Sequence, residues 1–191
     1  VIMGRGNGKD GMMMPLMNFL QTPLNGIANY HIDIVANSED QAIDSFNVVH
    51  DMLEENKNKF SKKFRWNMET ITDRATNSRM RYNTSNAKTK DGKKIGAIFF
   101  NEYHAYETYS QITVFTSGLG KIPDPRKFIV TTFGYVRDGP LDNLVKTIKR
   151  ILSTGKNELG YFPMYFCLDD ESEVGNEDAW IKANPSINYM P

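Results

Sequence analysis

Three short clusters in this chain combine residue types and spacing that suit phosphate chemistry. The first, Gly4-Arg5-Gly6-Asn7-Gly8-Lys9-Asp10-Gly11, has the makings of a phosphate-binding loop. Glycines let successive backbone N–H groups turn toward an anion, a following helix N-terminus adds partial positive charge, and a lysine reaches the outer phosphates. Two positions depart from G-x-x-x-x-G-K-[ST]: Met3 replaces the first glycine and Asp10 replaces the metal-binding hydroxyl. Alone, the segment reads equally well as a glycine-rich turn carrying an exposed lysine. The second cluster, Ile95-Gly96-Ala97-Ile98-Phe99-Phe100-Asn101-Glu102, is an apolar run ending in an amide and a carboxylate. Open α/β sheets bind ligands at that end of their strands. An Asp-Glu pair there would orient Mg²⁺ and polarise an attacking water; Asn101 departs from it and Glu102 keeps it. The third is Val130-Thr131-Thr132, a strand end with adjacent hydroxyls in the place where ATPases carry a residue that senses the γ-phosphate.

The elements that must position these clusters alternate between strand and helix periods, the pattern of crossover helices over a mainly parallel sheet. Residues 1–3 read as the tail of a strand, which suggests a domain truncated at its N-terminus, and 12–20 as a helix that Pro15 deprives of one hydrogen bond. Residues 30–36 form the next strand. Ser38 with Gln41 marks a capping box, after which Ile43, Phe46, Val49 and Leu53 continue at helical spacing to about Asn56. Phe64, Trp66 and Met68 alternate as in a half-buried strand, and 83–94 is a polar loop before the strand 95–100. A strand at 128–132 precedes a helix opened by Pro140, with Leu141, Leu144, Val145, Ile148, Ile151 and Leu152 on one face. A last strand spans 161–168, and a short helix surrounds Trp180.

Composition narrows the class. With 191 residues, 40% of them hydrophobic, the chain makes one domain with a substantial core. The 23 basic and 23 acidic residues cancel, so a DNA contact would have to be local. Lys57, Lys59, Lys62, Lys63 and Arg65 suit either such a contact or a solvated helix end. The lone Cys167 excludes an internal disulfide and a cysteine zinc cluster. No apolar run approaches the roughly 20 residues of a membrane helix, which excludes a membrane partner of that kind and fits a cytoplasmic protein. His104, beside aromatic residues, reads as a structural hydrogen-bond partner and not a ligand.

Taken together, the sequence resembles the ATPase domain of the large terminase subunit of tailed phages. The resemblance rests on Arg5-Gly6-Asn7-Gly8-Lys9, Val35-Ala36-Asn37-Ser38-Glu39-Asp40-Gln41-Ala42, Glu102-Tyr103-His104-Ala105-Tyr106, Thr131-Thr132-Phe133-Gly134-Tyr135 and Trp180-Ile181-Lys182-Ala183-Asn184-Pro185-Ser186, in family order. It implies an α/β P-loop NTPase with a mainly parallel sheet and helices on both faces, filling residues 1–191 and leaving no room for the family's nuclease domain. It further implies ATP and Mg²⁺ as cofactors. The nucleotide would be bound by Gly4, Arg5, Gly6, Asn7, Gly8, Lys9 and Asp10, with Lys9 on the phosphates and Arg5 neutralising the transition state. Glu102 would be catalytic, Thr131 and Thr132 would couple hydrolysis to movement, and Asp10 and Asn101 would contact the metal. The implied partners are double-stranded DNA, a portal protein, a small terminase subunit and further copies of the chain in a ring, working in the host cytoplasm at the procapsid. Another DNA-dependent ATPase, or a nucleotide-binding fold whose hydrolysis is weakened or lost, remains open as an alternative.

Overall fold

A computed structural model describes residues 1–84 and 94–189. The elements run α1 (Lys9–Gln21), β1 (Ile32–Ala36), α2 (Glu39–Glu55), α3 (Lys57–Phe60), β2 (Phe64–Trp66), β3 (Thr70–Asp73), β4 (Arg79–Thr84), β5 (Ala97–Asn101), α4 (Tyr109–Thr116), β6 (Arg126–Val130) and α5 (Pro140–Thr154), with short 3-10 turns between and after them. The sheet order is β2-β3-β4-β1-β5-β6. β4, β1, β5 and β6 run parallel, and β3 and β2 add antiparallel at one edge. This is the expected mainly parallel α/β sheet.

Two apolar clusters show how the helices cover it. Ile32, Ile34 and Phe99 pack with Met14, Met17 and Leu20 of α1 and Phe46, Val49 and Leu53 of α2. Val35, Ile98 and Phe100 point the other way and meet Ile112 and Phe115 of α4 with Leu141 and Ile148 of α5. Strand side chains alternate between faces, so β1 and β5, buried along their whole length, divide their apolar residues between two helix layers. Helix α2 starts where Ser38 Oγ accepts from the Gln41 N–H at 3.4 Å and ends at Asn56. Helix α5 carries Pro140 in its first turn and closes on Gly155.

Several local expectations need correction. Residues 1–3 and 161–168 do not form full strands; Ile2 makes isolated parallel bridges to Thr131 on one side and Tyr165 on the other. These bridges extend the parallel sheet beyond β6. The helix expected at 12–20 begins at Lys9, directly after the glycine loop, because Gly8 turns the chain and the Met12 N–H donates to the Gly8 carbonyl at 3.0 Å. Pro15 is accommodated within it. Met68 lies in a turn beyond β2 and is exposed. The basic stretch contains the one-turn helix α3, with Lys57 paired to Glu54 at 2.9 Å. β3 and β4 were not anticipated. The polar loop expected at 83–94 lies largely outside the described residues.

Candidate nucleotide site

Parallel strands deliver their C-terminal ends to one edge of a sheet, and here that edge gathers the three clusters. The Val1 and Met3 backbones hydrogen-bond Thr131 at 3.1 and 3.3 Å, placing the glycine loop beside the end of β6. β6 in turn pairs with β5 up to Asn101 opposite Val130. Gly6 and Gly8 take positive φ values of 78° and 70°, a region open to glycine at little cost, so the loop can turn its amides inward. Lys9 opens α1 and is buried, its Nζ donating to the Gly4 carbonyl at 3.0 Å. Burial lowers its pKa from 10.5, while the charges of Glu102 and Asp10 pull it back up. Arg5 is exposed and lines an open cleft with Thr132 and Lys149.

The loop is held from the far end of the chain. Asn7 Nδ2 donates to Asn184 Oδ1 at 2.9 Å and to the Gly4 carbonyl at 3.1 Å, while Asn7 Oδ1 accepts from the Ser186 N–H at 3.1 Å. The Gly4 N–H donates to the Ala183 carbonyl at 2.8 Å. The approach is so close that a Cβ on Gly4 would stand 1.9 Å from Asn184 Oδ1. The segment Trp180-Ile181-Lys182-Ala183-Asn184-Pro185-Ser186 is therefore the brace of the glycine loop. Spacing along the sequence gave no hint of this role.

Asp10 and Asn101 meet directly. Asn101 Nδ2 donates to Asp10 Oδ2 at 3.3 Å and to Ser45 Oγ at 2.8 Å; the Ser45 hydroxyl also lies 3.4 Å from Asp10 Oδ2. Burial raises the Asp10 pKa, the Ser45 hydrogen bond opposes that, and the Glu102 charge adds to it. Asp10 Oδ1 is buried without a partner. Asn101 Oδ1 accepts from the Glu102 N–H at 2.9 Å. Sequence reasoning missed Ser45; the available signal was a hydroxyl at an inward position of α2, among Ala42, Phe46 and Val49.

Glu102 follows β5 in a left-handed conformation, φ 49°, which for a residue with a Cβ stores strain and aims the side chain out of the strand line. Its Oε2 is buried, 3.0 Å from His104 Nδ1 but outside hydrogen-bonding alignment. His104 Nδ1 also lies 3.1 Å from Thr131 Oγ1 and 3.4 Å from Thr132 Oγ1. His104, set aside in the sequence, thus sits between the strand-end carboxylate and the threonine pair. Among the described residues no three or more His, Cys, Asp or Glu side chains form a metal cluster.

A glycine loop feeding a helix, set at the C-terminal edge of a parallel sheet beside a strand-end glutamate, defines the class: an α/β domain of the ATPase type. The chain belongs to the family of terminase large subunit ATPase domains, whose model matches residues 1–150. Among solved structures it is similar to the large terminase of bacteriophage HK97, with 17% identity and a TM-score of 0.84 over 100% of this chain and 40% of that one. It is also similar to a variant of the Thermus phage P74-26 large terminase ATPase domain, with 15% identity and a TM-score of 0.54 over 72% of this chain and 61% of that one. The chain thus spans less than half of the HK97 protein. No curated protein matches it in sequence. No helix among the described residues is long and apolar enough to cross a membrane.

Proposed function

We propose that this domain hydrolyses ATP and uses the energy to move double-stranded viral DNA into a procapsid. The observation that carries the reading is the meeting, at one sheet edge, of the Lys9 loop, the Asn101-Glu102 strand end and Thr131-Thr132. In this proposal the amides of Arg5, Gly6, Asn7 and Gly8 cradle phosphates. Gly4, whose N–H is held by the Ala183 carbonyl, anchors the loop without donating to them, and Lys9 leaves the Gly4 carbonyl to donate to the phosphates. Arg5, exposed on the cleft wall, neutralises charge that develops in the transition state. Glu102 orients the attacking water and accepts its proton.

The residues present fit Mg²⁺ through the unpartnered, buried Asp10 Oδ1, a hard anionic oxygen of the kind that ion takes. When bound, the ion would neutralise phosphate charge. Asn101, proposed from the sequence as a second metal contact, has its amide engaged with Asp10 and Ser45 and its oxygen with the Glu102 backbone. Its role is then to orient Asp10, and Asp10 alone of the two would face the cation. Thr131 and Thr132 would carry the state of the site into strand movement. At the level of the whole protein we place it in a homo-oligomeric ring on the portal protein, with a small terminase subunit selecting the genome, in the host cytoplasm.

A second reading, a nucleotide-binding fold with weakened hydrolysis, is favoured by that same engagement of Asn101. Glu102→Gln separates the two. If Glu102 is the base, Mg²⁺-ATP turnover falls by about 10²–10⁴ while nucleotide affinity holds. An active protein whose rate is unmoved by the substitution would overturn the assignment.

A further inference from the structure

We propose that His104 is a positioning residue whose Nδ1–H ties the Glu102 carboxylate to the Thr131-Thr132 strand end. The inference rests on the proposed roles of Glu102 and the threonines, and begins from one nitrogen with three oxygen neighbours. His104 Nδ1 stands 3.0 Å from Glu102 Oε2, 3.1 Å from Thr131 Oγ1 and 3.4 Å from Thr132 Oγ1. The Thr131 hydroxyl donates its own hydrogen to the Thr132 carbonyl at 2.7 Å, and its oxygen already accepts from the His104 backbone N–H at 3.0 Å. It has no hydrogen to give the ring. A bare lone pair on Nδ1 would therefore face the carboxylate oxygen of Glu102 unfavourably, whereas an N–H there satisfies it. The Thr132 hydroxyl at 3.4 Å can give or take a hydrogen, but the two nearer oxygens, of Glu102 and Thr131, can only accept, and so favour the Nδ1–H tautomer.

That single N–H cannot serve every acceptor at once. In the present arrangement Glu102 Oε2 is buried and unbonded, although the donor is within reach, so the hydrogen is directed to the threonine side. A small displacement of the Thr131-Thr132 end releases the donor to Glu102 and fixes the carboxylate; the reverse displacement frees it. The ring is seated for this exchange. It lies over Gly134, where a Cβ would come within 2.4 Å of His104 Cδ2 and 2.9 Å of its Cβ and Cγ. Gly134 follows the threonine pair by two residues, so the imidazole is packed against the segment that continues the strand end.

The test combines a turnover measurement with a nitrogen spectrum. His104→Ala removes the donor, while His104→Asn restores an amide N–H on the same Cγ. Because a misaligned group costs up to about 100-fold, His104→Ala is expected to lower kcat for ATP by about 10- to 100-fold with KM within about threefold, and His104→Asn to recover most of that loss. A change in packing alone would not be repaired by an amide. An unchanged kcat in His104→Ala, or equal defects in the Ala and Asn variants, overturns the proposal. Histidine ¹⁵N spectra of the unsubstituted chain, which has three histidines, should show Nδ1 of His104 protonated and its resonance shifted by Glu102→Gln. An Nε2–H tautomer, or a resonance indifferent to Glu102→Gln, also overturns it. The spectrum needs no turnover, so a protein that fails to hydrolyse ATP would refute the proposed function and leave the spectrum to decide the His104 network. If Glu102→Gln abolishes turnover while His104→Ala leaves it intact, the function stands and the network falls.

Discussion

Exchanging the acid and the amide between Asp10 and Asn101 tests the centre of the site without any assay of turnover. Asn101→Asp alone puts a second carboxylate where an amide now donates to Asp10 Oδ2 at 3.3 Å. At that distance and an effective dielectric near 20, two full charges repel by about 5 kcal/mol. The pair can escape by taking up a proton, which at pH 7 costs a carboxyl of ordinary pKa about 4 kcal/mol. The penalty therefore saturates near about 4 kcal/mol, plus about 1 kcal/mol for the lost hydrogen bond. Asp10→Asn alone removes the charge and one strong acceptor and should cost about 1 kcal/mol. The double variant restores one carboxylate facing one amide, so the effects should fail to add by up to about 6 kcal/mol, the sum of the two single penalties. Urea denaturation of the four proteins in chelator, without nucleotide, measures this directly. A coupling below about 0.5 kcal/mol would refute the contact and the reading of Asn101 as the residue that orients Asp10. Mg²⁺ should selectively stabilise the Asn101→Asp single variant, because a cation between the two carboxylates removes their repulsion.

Lys9 and Gly4 give two further tests. Burial lowers the native pKa of Lys9 below its ordinary 10.5, so the unfolded chain holds that proton more tightly. Lys9 therefore costs stability at neutral pH, and the cost is relieved as pH rises through the native pKa toward 10.5. Lys9→Met should abolish nucleotide binding by calorimetry, raise the melting temperature at pH 7, and flatten the alkaline rise in stability; a lower melting temperature would contradict it. Gly4→Ala drives a Cβ into Asn184 Oδ1 and should cost about 1–3 kcal/mol. Adding Asn184→Ala should recover part of that loss in the same denaturation experiment; strict additivity would show that the brace does not act on the loop.

The helices and inner strands were legible because their signals are local. The apolar period of α2 from Phe46 to Leu53, the Pro140 start of α5 and the apolar run through Ile98 and Phe100 are properties of neighbouring residues, so α2, α5, β1 and β5 could be placed from the sequence. So could the glycine loop, whose chemistry depends on consecutive amides, and the strand-end position of Asn101 and Glu102. β3 and β4 were invisible because Thr70–Asp73 and Arg79–Thr84 are largely polar and carry no apolar run. Their identity as strands comes from partners, as when Arg81 in β4 pairs in register with the fully buried Asp33 of β1 and holds it with hydrogen bonds of 2.7 and 3.2 Å. Contacts between distant residues were equally beyond reach. Asn7 is braced by Asn184, 177 positions away. Ser45 reaches Asn101 on β5 from helix α2, and His104 stands between Glu102 and Thr131 at the ends of the neighbouring strands β5 and β6. Sequence determined which chemical groups reach the edge of the sheet; only the tertiary structure decided which of them touch, because hydrogen bonds act over about 3 Å and separation along the chain carries no such information.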